Sequence, residues 1–309
     1  MKHLVGLLNI HISRISSPML GSGIKSATVN INSNKTSAKI ESKIMLNHHK
    51  DFCFCTLAFQ KKYRELAKQL AADLETHSLG TMLVVCTDNP NDFQNLTNVF
   101  AFKKSREGVD YCYNDKRFAL KKALELFRVT IFVDADTRIT GKVPEREWMS
   151  GITCKGFVPI LEHPPNQSLP GRKEAIHKLA KKLELPLKKV SFVQENLFVI
   201  GRDNGKEIQF IQEWGKIGRF FEVQKVKTKD GNPIGLATAK VGWNVRSDGW
   251  DELAQIMEHS FAHWDWEKNQ VRTFWDKVLD RLQFKHWQYL YRLLKTQLIA
   301  LLNFDFYYR

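Results

Sequence analysis

The sequence predicts an α/β protein: a single domain with a mostly parallel, Rossmann-like sheet and a C-terminal amphipathic helical extension. Three observations carry this prediction. Short apolar, β-branched runs alternate with stretches of helical period between residues 51 and 134, the pattern of strand–helix–strand units joined by right-handed crossovers. The run at 129–134 is apolar or β-branched up to its last residue, as strands buried on both faces of a parallel sheet are. With 309 residues, 43% of them hydrophobic, the chain can enclose a substantial core.

The elements follow in order. Residues 1–49 are rich in Ser, Asn, Lys and Ile without a period and read as a disordered or loosely packed basic leader. FCFCTLAF (52–59) is a strand, and 60–77 an amphipathic helix with Leu66, Leu70 and Leu74 on one side. TMLVVCT (81–87) is a second strand, closed by the turn Asp88-Asn89-Pro90. A short strand at 99–102, a helix at 115–127 and a strand at 129–134 complete the first half. A proline-rich loop (159–170), a charged helix (171–185) and a strand-like run (190–201) interrupted by Gln194-Glu195-Asn196 come next. A helix is expected over 208–222, and glycines 231, 235, 242 and 249 are expected to punctuate short strands and loops. Residues 271–302 form a long amphipathic helix or helix pair, in which Lys277, Arg281, Lys285, Arg292 and Lys295 lie among Trp, Tyr and Leu. The domains are therefore 1–49, 50–268 and 269–309.

Charge and cysteines bound the function. The net charge is +14, but residues 1–50 carry +6 and residues 268–309 carry +5, leaving the long middle only mildly basic. Basic ends suit a basic edge of a catalytic domain or an anionic membrane surface better than a nucleic-acid groove, and no zinc-knuckle or RNP-type motif is present. The five cysteines, Cys53, Cys55, Cys86, Cys112 and Cys154, are odd in number and irregular in spacing. They read as reduced thiols of a cytoplasmic protein rather than disulfides or a zinc site. No apolar run approaches the ~20 residues that span a bilayer, and residues 1–12 make a poor signal peptide. The C-terminal helix is expected to pack on the catalytic core or on a second copy, as apolar helical stripes usually do; peripheral contact at the inner membrane surface is the alternative.

The chemistry concentrates in RVTIFVDADTRIT (128–140). Asp134 and Asp136 stand one residue apart at the end of the apolar strand, where side-chain alternation sends both to one side. Open α/β sheets bind ligands beyond the carboxyl ends of their strands. Two carboxylates held there repel each other unless a cation lies between them. A hard divalent ion, Mn²⁺ or Mg²⁺, is the natural partner.

The segment 114–140, NDKRFALKKALELFRVTIFVDADTRIT, resembles the core of a GT-A glycosyltransferase: a helix, an apolar strand, then Asp-x-Asp. The resemblance covers about residues 50–268 and is sharpest at Asp134–Asp136. It implies a GT-A domain whose Asp-x-Asp holds a divalent metal on the diphosphate of a nucleotide sugar. Asp136 would then be a direct metal ligand, and Asp134 would reach the metal through water or contact the donor ribose. It implies a further ligand from a late histidine, His259 or His263, four apart and on one face if helical. It also implies an acceptor, whether glycan, lipid or small molecule, bound by the second half.

Arg117 and Lys121 share a helix face and are candidates for the donor's phosphates or base. Solvated helical charges are the plainer reading for each. Glu195 interrupts an apolar run, which a carboxylate does not enter cheaply. It is a candidate to face the anomeric carbon or to act as general base on an acceptor hydroxyl. Asp230 and Asp248 compete with it, though each precedes a glycine as turn residues do. Trp243, Trp250, Trp264 and Trp266 could stack on sugars, but tryptophans more often fill cores.

Two other functions compete. Phosphatases of the haloacid dehalogenase type also end a strand in Asp-x-Asp, as nucleophile and general acid with Mg²⁺. Their motif continues with a small residue and then Thr or Val, where this chain has Thr137 and Arg138, and it usually opens the domain. A non-enzymatic membrane-surface or partner-binding protein would use the basic ends but leaves the paired aspartates unexplained.

Overall fold

The computed structural model describes residues 50–156, 158–260 and 284–309, the first two residues of the last stretch by backbone alone. Six strands form one sheet in the order β3-β2-β1-β4-β7-β6. They are β1 (Phe52–Ala58), β2 (Leu83–Thr87), β3 (Val99–Lys103), β4 (Val129–Val133), β6 (Gly151–Thr153) and β7 (Leu197–Gly201). β1 to β4 run parallel, β7 runs antiparallel to β4, and β6 antiparallel to β7. The fold is thus α/β with a mixed, mostly parallel sheet. The middle strands are buried along their length apart from half-buried Leu57, which is why their sequences are largely apolar on both faces.

The chain steps outward from β1 to β2 to β3 and then returns to place β4 on the other side of β1. Such crossovers are right-handed as a rule, and outward and return movements of that hand place their helices on opposite faces of the sheet. α1 (Gln60–His77) covers one face with a small two-stranded sheet of β5 (Thr137–Ile139) and β8 (Met257–His259). α2 (Lys116–Leu126) covers the other, backed by α5 (Lys206–Val223), which in turn carries α6 (Gly231–Lys240). α3 (Pro164–Ser168), α4 (Arg172–Leu183), α7 (Trp250–Ala254), α8 (Phe284–Leu302) and α9 (Phe304–Tyr307) complete the chain. α8 lies against α5. The order reversal between β1 and β4 makes their carboxyl ends a topological switch point, the place where such sheets open a crevice for ligands.

Three expectations are corrected. Residues 231–240 are helical, not short strands and loops. Gly231 and Gly235 are there for packing: a Cβ on either would collide with Phe192 or the Ser191 carbonyl. The run 190–201 is a strand only over Leu197–Gly201, because Gln194-Glu195-Asn196 leaves the ladder to form a turn. The proline-rich loop holds a short helix, α3, whose first two residues are prolines, positions that need no backbone donor. The leader 1–49 lies outside the described residues, as do Trp264, Trp266 and residues 271–283 of the expected C-terminal helix. Trp243 and Trp250 are buried core residues. All five cysteines are free, and four are buried. Among the described residues, no helix is long and apolar enough to cross a membrane.

Candidate metal centre

β4 delivers its last residues to the switch point. The chain turns at once: the Thr137 N–H donates to the Asp134 carbonyl at 3.0 Å. This tight turn, rather than continued strand alternation, brings the Asp134 and Asp136 carboxylates together. β5 then pairs antiparallel with β8, setting Thr137 opposite His259, and the Ser260 N–H donates to the Asp136 carbonyl at 3.0 Å. His259 therefore arrives on a strand, not on a helix, from far along the chain. Its Nδ1 lies 3.3 Å from Asp136 Oδ1. Asp134, Asp136 and His259 each offer a ligand atom, all within 4.8 Å of one another. His263 lies outside the described residues.

Two carboxylates and an imidazole fit a divalent ion of the Mn²⁺ type. Mg²⁺ favours an all-oxygen shell, whereas an imidazole ligand points to a transition ion. Three protein ligands would leave the other positions of a six-coordinate ion open to phosphate oxygens.

Lys116 joins this centre to the second half of the domain. Its Nζ lies 2.7 Å from Asp134 Oδ1, donates to the Glu195 carbonyl at 3.2 Å, and lies 4.0 Å from Asp230 Oδ2. Burial alone would favour the neutral amine. Asp134, Asp230 and Glu195 outweigh it and raise the Lys116 pKa, so the ammonium is locked in place. Asp230 is 3% exposed. Burial pushes its carboxyl well above the usual range, against the pull of Lys116. The Glu195 side chain keeps 16% exposure and sits 3.9 Å from Lys229.

Aromatic hydroxyls border the same space. Burial, then the charges of Asp136 and Asp134, raise the Tyr63 phenol of α1. Burial pushes the Tyr113 phenol up to about 12 although Lys116 opposes the shift. Tyr113 stacks on Tyr111 with ring centroids 5.0 Å apart. At the end of β1, Gln60 takes a left-handed φ of 72°, a conformation that disfavours a residue with a Cβ by roughly 1–2 kcal/mol. Its N–H donates to Asp88 at 3.2 Å, and Asp88 is held by Arg64 at 2.7 Å. Strained backbone of this kind collects at ligand sites.

The remaining candidates lie elsewhere. Arg117 faces α5: it is 3.1 Å from Glu107 and 3.8 Å from Asp115, and packs beside Gly215. Lys121 is exposed one turn further on. Asp248 is a surface residue between Arg146 and Arg246, at 3.9 and 3.5 Å. The structure thus gathers Asp134, Asp136, His259, Glu195 and Asp230, and leaves Arg117, Lys121 and Asp248 outside. Sequence reasoning missed Lys116 and Tyr63. Lys116 had a signal: it stands four residues before Leu120 and seven before Ala123, at the head of the buried stripe of its helix. Tyr63 had only its place one turn beyond a strand end. In comparisons with known proteins, no family model and no curated protein matches this chain.

Proposed function

We propose that the protein is a metal-dependent glycosyltransferase that moves a sugar from a nucleoside-diphosphate donor, a UDP-sugar first among them, to a hydroxyl acceptor. The observation that carries this reading is the Asp134–Asp136–His259 cluster at the carboxyl end of β4, beside the switch point. A Mn²⁺ held there would supply positive charge to a diphosphate leaving group. The chain's own residues have separate tasks. Lys116 presents a fixed ammonium next to Asp134 and orients groups on the donor. Asp230, enclosed 4.0 Å from Lys116, helps to fix the ammonium rather than acting as a base. Glu195 has the exposure to meet an acceptor hydroxyl and is the preferred general base. Tyr63 and Tyr113 close the crevice walls with donors that stay protonated at neutral pH.

The test is a thermal-shift and calorimetric panel of nucleotide sugars with and without Mn²⁺. A responding donor at about 100 times its Kd adds about 2.7 kcal/mol of apparent stability. Asp136→Asn is expected to lower Mn²⁺-dependent UDP affinity by on the order of 100-fold or more, with the far-UV spectrum unchanged. Unaltered affinity in this variant overturns the reading. So does turnover of phosphate esters by a protein that binds no nucleotide sugar, the outcome expected of a phosphatase.

A further inference from the structure

α2 and α5 lie against each other, and a groove of about 700 Å³ opens between them, a volume typical of small-molecule sites. Residues four apart on each helix face it. Arg117, Lys121 and Glu125 come from α2; Ile211, Gly215 and Arg219 come from α5. Gly215 keeps the space for the first of these, because a Cβ there would stand 2.8 Å from Arg117 Nε. Ile299 of α8 closes the end where Arg117 and Arg219 stand. The other end, at Glu125 and Arg202, lies at the amino edge of the parallel strands, where the Arg202 N–H donates to the Arg128 carbonyl at 2.9 Å. That edge is opposite the candidate metal centre.

The groove is apolar along its length and cationic around it. Leu124 and Ile211 are buried in its floor, and Ile208 is 55% exposed at its lip. Five cations line it, against Glu125 and Glu207. Both acids are engaged elsewhere. Glu207 accepts from the Asp203 and Gly205 N–H groups at 2.8 and 3.1 Å, and Glu125 lies 3.3 Å from Lys122. Arg117 has Glu107 and Asp115, and Lys216 has Glu213 at 3.9 Å. Among the described residues, Lys121, Arg202 and Arg219 form no ion pair. Burial, and behind it the charge of Arg219, lower the Arg117 pKa against the pull of Asp115 and Glu107. Two guanidinium groups that oppose each other across a groove call for an anion, as paired carboxylates call for a cation.

What the groove lacks is therefore negative charge as well as apolar contact, and this selects its occupant. Residues 1–49 contain six bases and one acid, Glu41, too few acids to answer three cations. Residues 261–283 contain four acids but join the chain far from the open end. Ser260 lies beside Asp136 at the opposite edge of the sheet, and Phe284 stands about 22 Å of helix before Ile299. A bilayer surface is flat, whereas the groove is concave, with a helix on each side and α8 across one end. A single small molecule with an apolar body and an anionic head matches both needs.

We propose that the groove between α2 and α5 binds a single-chain amphiphile with a phosphate or carboxylate head, its head against Lys121 and Arg219 and its chain along Leu124, Ile208 and Ile211. This proposal does not depend on the glycosyltransferase reading, and its site shares no residue with the metal cluster.

The experiment is titration calorimetry of the full chain with decyl phosphate below its micelle concentration, with decan-1-ol and inorganic phosphate as separate arms. Decyl phosphate is expected to bind saturably, one molecule per chain, and each of the other two at least on the order of tenfold more weakly. Decanoate in place of decyl phosphate tells the two heads apart, and saturable binding of either supports the proposal. Lys121→Gln and Arg219→Gln should each weaken binding by on the order of tenfold. Lys121 is exposed, so its variant keeps the test open if Arg219→Gln folds poorly. Absent binding, decan-1-ol binding as tightly as decyl phosphate, or full affinity in both variants overturns the proposal. So does binding to phosphatidylglycerol vesicles without binding of the free amphiphile. A marked fall in the ligand-free melting temperature of Ile208→Gln shows that the chain itself fills the groove, and also overturns it.

Discussion

Two charged clusters flank α2, and adjacent residues of its first turn anchor them. Lys116 serves the cluster at the carboxyl end of β4, with Asp134, Asp136, Glu195, Asp230 and His259. Arg117 serves the other, with Glu107, Asp115 and Glu222. In the second cluster cations are plentiful. Lys104 and Lys295 reach Glu107, and Arg106, Arg219 and Arg292 stand near the buried acids. Backbone donors help as well: Glu107 and Gly108 donate to Asp115, and Val109 donates to Glu222. In the first cluster, among the described residues, Lys116 answers Asp134 and Asp230 while Lys229 reaches only Glu195. The second is a closed electrostatic knot that ties a loop to α5 and α8. The first holds Asp134 and Asp136 beside His259, a group that a bound cation would balance, and that feature, not the number of acids, makes it the candidate site.

The largest expected effect breaks the first cluster. Lys116→Met leaves Asp134 and Asp230 without their buried partner, and breaking such a pair costs about 3–5 kcal/mol. Urea unfolding should show this loss at neutral pH. It should shrink as pH falls, because the stranded carboxylates then take up protons, and it should shrink again on adding Mn²⁺. A variant as stable as the parent would mean that the two acids do not depend on Lys116.

A smaller effect sharpens the second cluster. Burial pushes the Glu222 carboxyl up to about 7 despite the Val109 N–H that it accepts. An acid raised in the folded state binds its proton more tightly there than when unfolded. Its contribution to stability therefore falls as pH rises from the ordinary carboxylate range, 4.5 for this group, toward about 7. Glu222→Gln keeps the acceptor for Val109 and removes the ionisation. It should be more stable than the parent by on the order of 2 kcal/mol above neutral pH, and indistinguishable below the ordinary carboxylate range. Denaturant midpoints measured across pH test the sign directly.

The smallest effects lie outside both clusters. Lys121→Ala and Asp248→Asn touch only exposed surface, so each should leave stability within about 0.5 kcal/mol and leave Mn²⁺-dependent nucleotide affinity unchanged. A loss of affinity in either would extend the site beyond the residues gathered by Lys116.

Much of this was legible before folding. The parallel half of the sheet, α1, α2 and the placement of Asp134 and Asp136 at a strand end follow from runs of local apolar period. Lys116 was not singled out, although the stripe Lys116, Leu120, Ala123 turns its side chain toward the sheet while Arg117 faces α5. Misreading 231–240 came from taking glycines as turn formers, when Gly231 and Gly235 instead permit close approach to Phe192 and Ser191.

By itself the sequence determined the features that depend on near neighbours in the chain: the strand and helix periods, the paired aspartates, the basic ends and the apolar, acid-free helix at the C-terminus. Only the tertiary structure decided which distant groups meet. His259 reaches Asp136 because β8 pairs with β5 across some 120 residues of chain. Glu195 and Asp230 meet over Lys116 because a turn before β7 and the start of α6 converge on the end of β4. The outward direction of the large apolar residues of α8, Trp287, Leu294 and Leu298 among them, was likewise undecidable from period alone. Hydrophobic spacing fixes that a helix has an apolar face, but packing against α5 decides that this face is turned away from the protein.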